Sequence, residues 1–494
     1  MTLNSPAFLF LFLPVFLILY FASPVRCRNF FLLLFSLFFF IWSDPLYSPF
    51  IFGLVLINYF LLRGIQGNPA SPANSPKRSR LLAFGIAVNL TSLIFFKLFI
   101  AYWQPLLAAA SASGLHLPGW LPSLLPRAAH FPLSLSFLTL QAISMLVDAS
   151  RQDHAQPSRL LPVSAFLLMF PKAISGPLMR FREISAQLKA RELSLPQAAA
   201  GLRRFMLGFA KKALIADQLA LIVNREIFSA SPLNLSPGLA WLAILSYTLQ
   251  IYFDFSAYSD MAIGLAQALG FNFGENFNYP YLSQSITDFW RRWHITLSNW
   301  FRDYVFYPLE RKRRSGRLPD RWFGQSLNIL VVFLLTGLWH GLTPPFIAWG
   351  LLHGAALALE RGPFGAWLKK LWRPFQHVYT LSVIILGWVF FRSPSLQFAW
   401  NFLKALAGSS KPSAWLPFSV FPPVSPLVWS ALAAGILFSF PVLPALQKRF
   451  IGRFSPEKTA VLAWGRNVLA FGLFIAGIII QTGANYLPFI YGEF

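Results

Sequence analysis

Two histidines stand where a side chain could move a proton. His340 lies in Thr336-Gly337-Leu338-Trp339-His340-Gly341, at the end of an apolar run that begins near Leu327, and His294 closes Asp288-Phe289-Trp290-Arg291-Arg292-Trp293-His294. Imidazole titrates close to neutrality, and one sunk in a membrane-type segment is costly to bury and marks a functional site. His340 is therefore read as the reactive group, a general base. The plainer alternative is a core histidine satisfied by a backbone carbonyl. His294 is read as a second catalytic group nearer the cytosol, against simple anchoring of an Arg/Trp-rich helix at the interface. Arg291, Ser298, Asp288, Trp339 and Tyr258 are read as substrate-binding, with Arg291 favouring an anionic group. Arginine charge is expected to depress the His294 pKa and keep the ring neutral.

The elements that must position these residues follow from the same stretch. Residues 284–304 predict one helix, with Trp290, Trp293, Leu297, Trp300 and Phe301 on an apolar stripe and Arg291, His294 and Ser298 on another face. Leu327 to Leu352 is interrupted by Gly341, Pro344 and Pro345 and is flanked by basic residues at Arg311–Arg314 and at Arg361, Lys369 and Lys370. Like charge at both ends predicts a segment that enters and returns, its break deep in the membrane beside His340. Residues 284–357 thus form the expected catalytic core. Asp254 and Asp260, inside the long apolar run Trp241–Leu269, need cationic partners, which the arginine-rich helix before them could supply.

Composition frames this core. The 494 residues are 56% hydrophobic and 12% charged, against roughly 25% charged in a soluble domain. Apolar runs near the ~20 residues that cross a bilayer recur along the chain. They are Phe8–Ala22, which reads as a retained span rather than a cleaved signal, Phe30–Trp42, Phe50–Leu62, a run ending near Trp103, one from Phe131 to Arg151, then Tyr379–Phe391, Leu427–Leu446 and Val468–Gln481. Leu160–Phe170 is too short to cross and stops at Pro171-Lys172-Ala173-Ile174-Ser175-Gly176-Pro177, which predicts a re-entrant element. Residues 104–130, with His116 and His130, read as an external loop. A single membrane domain, 1–494, is expected.

The net charge of +24 sits in short clusters between apolar runs, the positive-inside pattern rather than a nucleic-acid surface. Lys77–Arg80, Arg311–Arg314 and Lys448–Arg453 are expected in the cytosol and both termini outside. Such a face could attract anionic membrane lipids, a phosphorylated donor or an acidic carrier protein. Cys27 is the only cysteine, so no intramolecular disulfide forms. No His-Glu-x-x-His, glycine-rich phosphate loop or Gly-x-Ser-x-Gly elbow is present, which disfavours ordinary metalloprotease, kinase and hydrolase chemistry. A buried base and a cavity of broken helices suit acyl transfer across a membrane. A transporter or flippase would use the same broken helices.

Tyr252-Phe253-Asp254-Phe255-Ser256-Ala257-Tyr258-Ser259-Asp260-Met261-Ala262-Ile263-Gly264, Asp288 to Ser298, Gly337-Leu338-Trp339-His340-Gly341 and Trp349-Gly350-Leu351-Leu352-His353-Gly354 resemble the membrane-bound O-acyltransferase family. The likeness is to its bacterial alginate O-acetyltransferase type, related to the teichoic-acid D-alanyl transfer protein. It extends over Pro171–Phe181, Trp388–Arg392 and Pro488–Tyr491. The resemblance implies an all-α integral membrane protein of about 11–13 transmembrane and re-entrant helices around a tunnel. His340 matches the family's essential histidine and His294 its second. No permanently bound cofactor is implied; the co-substrate is an acyl thioester, acetyl-CoA or acyl carrier protein, offered from the cytosol. The acceptor is a hydroxyl of an exported polysaccharide, or of a periplasmic partner that delivers the acyl group to one, at a bacterial inner membrane. D-alanyl transfer and lipid or protein acylation share this core. Two stretches depart from the alginate type: Glu310-Arg311-Lys312-Arg313-Arg314 after Tyr307-Pro308-Leu309, and Thr343-Pro344-Pro345-Phe346.

Overall fold

A computed structural model describes residues 1–67, 75–113, 130–151, 159–223, 235–315, 321–409, 425–442, 444–445, 456–483 and 487–490. His116, Lys448–Arg453 and Tyr491 lie outside them. The described elements are all helical, which is what a chain must do if its backbone groups are to be satisfied within lipid. Among the described residues six segments are long and apolar enough to cross a membrane by length and composition: Val25–Ser43, Ser48–Gln66, Pro76–Trp103, Phe323–His340, Arg373–Arg392 and Trp464–Gly483. The chain is an all-α integral membrane protein. It divides into two compact units.

Among the described residues the first unit draws on 1–198 and 265–273. Its helices are α1 (Leu13–Ala22), α2 (Arg28–Ser43), α3 (Ser48–Gln66), α4 (Pro76–Ala112), α5 (Leu135–Arg151), α6 (Leu160–Leu168) and α7 (Phe181–Lys189). Phe12, Phe16 and Phe39 all pack on Phe170, with centroids 5.0–5.9 Å apart, and such pairs add about 0.5–1.5 kcal/mol each beyond area burial. Phe170 opens the break after α6, where its N–H donates to Ser36 Oγ of α2 at 3.2 Å. Lys172, fully enclosed, donates to Gln141 of α5. The proline-rich break is thus satisfied by protein, as a re-entrant element requires. α4 corrects the loop expected from residue 104: it runs through Pro105 to Ala112, because membrane helices tolerate an internal proline when neighbours compensate.

The second unit comprises residues 199–264 and 274–490. α8 (Leu195–Lys211) passes through a π-turn, Lys212–Ala216, into α9 (Asp217–Ile222) and lies along α10 (Pro237–Ala268). Glycine brings α8 and α10 together: a Cβ on Gly208 would stand 2.8 Å from the Ala257 carbonyl, and one on Gly264 2.5 Å from that of Gly201. The contact delivers the expected partners. Lys212 Nζ reaches Asp254 at 2.7 Å and Asp217 at 2.6 Å, while Arg204 and Lys211 hold Asp260 at 2.8 and 2.5 Å.

Beyond α10 come α11 (Ile286–Arg292), α12 (Ile295–Phe301), α13 (Tyr307–Ser315), α14 (Arg321–His340), α15 (Pro344–Glu360), α16 (Pro363–Leu368), α17 (Arg373–Arg392), α18 (Leu396–Leu406), α19 (Pro426–Phe438) and α20 (Pro456–Gly483). α14 and α15 form an antiparallel hairpin. Both arms carry Gly-x-x-x-Gly, Gly337 to Gly341 and Gly350 to Gly354, the small-residue spacing that lets membrane helices touch backbone to backbone. A Cβ on Gly337 would lie 3.5 Å from Gly350 Cα, and one on Gly350 would collide with the Phe333 carbonyl. Pro344 and Pro345 start α15 where a helix has N–H groups to spare. The segment does fold back on itself. Its first arm, however, carries an 18-residue candidate span from Phe323 to His340, roughly 27 Å at 1.5 Å per residue. That is close to a full crossing, so the turn lies at the end of a full-length arm rather than half-way along one.

Candidate active site

The single helix expected over 284–304 is two helices. α11 ends at Arg292, Trp293 is extended, and His294 takes the left-handed conformation at φ 43° and ψ 52° before α12 begins. Neither residue is glycine, and a left-handed turn costs an ordinary residue about 1–2 kcal/mol. The break is held from outside the segment. Asn278 N–H donates to the Arg292 carbonyl at 2.9 Å and Ile295 N–H to the Asn276 carbonyl at 3.0 Å. α11 is capped at its other end by the Ser285 hydroxyl and by Glu360 of α15, whose carboxylate accepts from the Ile286 and Thr287 N–H groups at 2.5 and 2.8 Å.

The kink turns His294 inward. It is 1% exposed, its Nδ1 lies 3.1 Å from Asn276 Oδ1, and Phe255 of α10 meets it edge-on with centroids 4.7 Å apart. On another side stands Trp339, 6.5 Å away, which is itself 4.8 Å from His340. Trp339 therefore neighbours both histidines. His340 ends α14, 5% exposed, and is ringed further by Trp349 and Phe391, both at 5.1 Å, and by Phe346 at 6.3 Å. A Cβ on Gly341 would strike the Phe346 ring, so the glycine is what lets this wall close on His340.

Burial alone lowers the His294 pKa to about 3. The expected direction holds, but its cause is desolvation and not arginine charge. Arg291 and Ser298, on separate helices, do line one cavity, without His294: it measures about 530 Å³ and is also lined by Thr336, Arg302, Arg361, Trp290, Val332 and Phe333. Thr287, Arg291 and Arg361 also line a more polar cavity of about 560 Å³, together with Asp288 and Lys369. Asp288 accepts from Arg292 Nε through both oxygens at 3.0 Å. Tyr258 is buried in the α10 packing against Phe489, 5.0 Å away, and lines none of the cavities described. Sequence reasoning missed Asn276, Phe255 and Arg361. Phe255 stood inside a quoted motif, and Arg361 was read only as a topology marker.

His353, one turn beyond Trp349, is fully buried, and neither ring nitrogen has a hydrogen-bond partner among the described residues. Gly387 of α17 packs against it: a Cβ there would sit 2.6 Å from Nε2. Its place is in the packing of α15 against α17. Among the described residues no three His, Cys, Asp or Glu side chains converge on a point that could hold a metal ion.

Comparison with known proteins gives this geometry its context. Residues 80–399 match the family model described as "MBOAT, membrane-bound O-acyltransferase family". The chain is 39% identical over 406 residues to the protein named probable alginate O-acetylase AlgI in Azotobacter vinelandii, covering 82% of this chain and 78% of that one. It is 34% identical to the peptidoglycan O-acetyltransferase of Helicobacter pylori, covering 82% and 79%. To the teichoic acid D-alanyltransferase of Bacillus subtilis it is 31% identical, covering 52% and 66%. Acyltransferases of this family draw on acyl thioester donors. The chain that carries these two histidines is an O-acyltransferase and belongs to the membrane-bound O-acyltransferase family.

Proposed function

We propose that this protein moves an acetyl group from a cytosolic thioester across a bacterial inner membrane to a hydroxyl of an exported polysaccharide, or of a periplasmic partner that passes it on. The observation that carries the reading is the grouping of His294, Trp339 and His340 on helices whose nearby residues Ile295 and Thr336 line a cavity with Arg291 and Arg361, two arginines that also line a more polar cavity with Lys369. In this reading the acceptor oxygen attacks the thioester carbonyl while His340 takes its proton. The tetrahedral intermediate expels the thiolate, which recovers the proton from the imidazolium, leaving an ester and a free thiol. His294, Ser298 and Trp339 border the donor's reactive end, and Arg291 and Arg361 meet the phosphates of its arm. Asp288 sets the position of Arg292. The basic run Arg311–Arg314 suits an acidic carrier protein as donor.

The topology proposed with this function has the basic clusters in the cytosol and both termini outside. A full-length α14 then carries His340 toward the outer side, where an exported acceptor arrives. Cysteines introduced at Ser79 and Ser315 should resist a membrane-impermeant thiol reagent in intact cells, and rapid labelling would reverse the orientation. The 31% identity with a D-alanyltransferase favours one second reading, an aminoacyl donor on the same core. Purified protein in lipid nanodiscs, incubated with radiolabelled acetyl-CoA and separately with acetyl carrier protein, tests both. Label leaving the thioester for a polysaccharide hydroxyl supports acetyl transfer. Inert acetyl donors alongside turnover of a D-alanyl thioester would replace it.

A further inference from the structure

We propose that Asn276 is a positioning residue that locks His294 in the tautomer with its proton on Nδ1, leaving Nε2 as the ring nitrogen that accepts a hydrogen bond or a proton.

The inference begins with the amide's own orientation. An asparagine side chain can be flipped end for end unless a neighbour of fixed polarity decides. Here a backbone group decides: Thr296 N–H, which can only donate, points to Oδ1 at 3.3 Å. The Thr296 hydroxyl donates to the same oxygen at 2.9 Å, while Nδ2 gives its proton to Ser259 Oγ at 3.1 Å. Oδ1 is thus an acceptor with nothing to donate. His294 Nδ1, 3.1 Å away, can bond to it only by carrying the hydrogen. Reversing the tautomer would set two acceptors face to face at a residue that is 0% exposed, at a cost of the order of a buried unsatisfied group.

The lock is built into the backbone as well. The Asn276 carbonyl accepts from the Ile295 N–H, and the Asn278 N–H donates to the Arg292 carbonyl, so one loop brackets the left-handed residue on both sides. The side chain that fixes the proton and the main chain that fixes the kink belong to the same residue. Among the groups packed on the ring besides Asn276 are Phe255 from α10 and Trp339 from α14, neither of which ionises. The functional consequence, that Nε2 serves the donor side of the reaction, rests on the proposed acyl transfer; the tautomer does not.

The test separates the two. Full-length protein with ¹⁵N-labelled histidine, in lipid bilayers, should give by solid-state NMR a His294 signal with protonated Nδ1 and bare Nε2, assigned by its loss in His294→Asn. A proton on Nε2, or an even mixture, overturns the proposal whatever the activity. Asn276→Asp keeps an acceptor, so the tautomer should persist. The carboxylate should favour the imidazolium and move the acidic limb of kcat/KM upward in pH. Asn276→Leu removes the acceptor and should raise donor KM by roughly tenfold, the worth of one orienting hydrogen bond, with kcat less affected. An Asn276→Leu protein that keeps one tautomer and an unchanged donor KM would refute the assignment. If that variant does not fold, the wild-type spectrum and Asn276→Asp still decide.

Discussion

The two helix breaks of the second unit are made by opposite means. At His340 the chain turns because its own composition tells it to: Gly337, Gly341, Gly350 and Gly354 let the arms meet, Pro344 and Pro345 start the return, and rings fill the space around the imidazole. At His294 nothing local demands a break, and a distant loop imposes one through hydrogen bonds. The first device sets a histidine by shape, the second by polarity. Shape fixes where a ring sits. Polarity also fixes which nitrogen bears the proton.

Four experiments would break or sharpen that contrast. The largest effect belongs to His340→Ala, which should cut acyl transfer by about 10²- to 10⁴-fold, the usual contribution of a general base, in protein that still inserts. Near-full activity in a radiolabel transfer assay would remove His340 from the chemistry. Next is Gly350→Leu, which drives a side chain into the Phe333 carbonyl. Overpacking of this kind costs about 1–3 kcal/mol, read as a lower midpoint of thermal unfolding in detergent. An unchanged midpoint would show that the hairpin does not depend on close backbone approach.

The third compares His294→Asn with His294→Ala. Asparagine tolerates the left-handed conformation and alanine does not, so the Asn protein should be the more stable by about 1 kcal/mol. Both should raise donor KM. If either leaves KM unchanged and lowers kcat as far as His340→Ala does, the donor-side role gives way to a shared catalytic one.

The smallest effect is a pH dependence. The folded His294 pKa, about 3, lies below the ordinary value of 6.5, so below pH 6.5 the unfolded chain binds the extra proton and the folded one does not. Stability from this residue is full above pH 6.5 and falls as pH drops toward 3, by up to about 1.4 kcal/mol per unit. Between pH 6.5 and 5.5 wild type should therefore lose more stability than His294→Asn. Parallel curves would show that burial does not hold the ring neutral.

The sequence made the first break legible and hid the second for the same reason. Glycine, proline and loop charge are local signals, so the hairpin, the apolar spans and the cationic partners of Asp254 and Asp260 could be read directly. The stripe Trp290, Trp293, Leu297, Trp300 and Phe301 keeps helical spacing straight through the kink, because a single left-handed residue leaves the pattern on either side intact. What breaks the helix is Asn276–Asn278, whose residue types say nothing about the partners they hold. Arg361 and Glu360 shared that fate: their charges are plain, but nothing local says that one lines the cavities and the other caps α11. The length of the first hairpin arm is likewise written in the residue count, whereas matching loop charge reports the return and not the depth.

The left-handed backbone at residue 294 has a consequence for how this position can vary over time. Two filters act there. The conformation admits glycine, asparagine and aspartate at small expense, whereas the bonded acceptor at Asn276 and the apolar rings around it suit an aromatic donor. Asparagine alone passes the first filter with an N–H to offer the second, yet it brings no ring to fill the space between Phe255 and Trp339. A lineage leaving histidine at this position therefore gives up packing, the donor or the backbone fit at its first step.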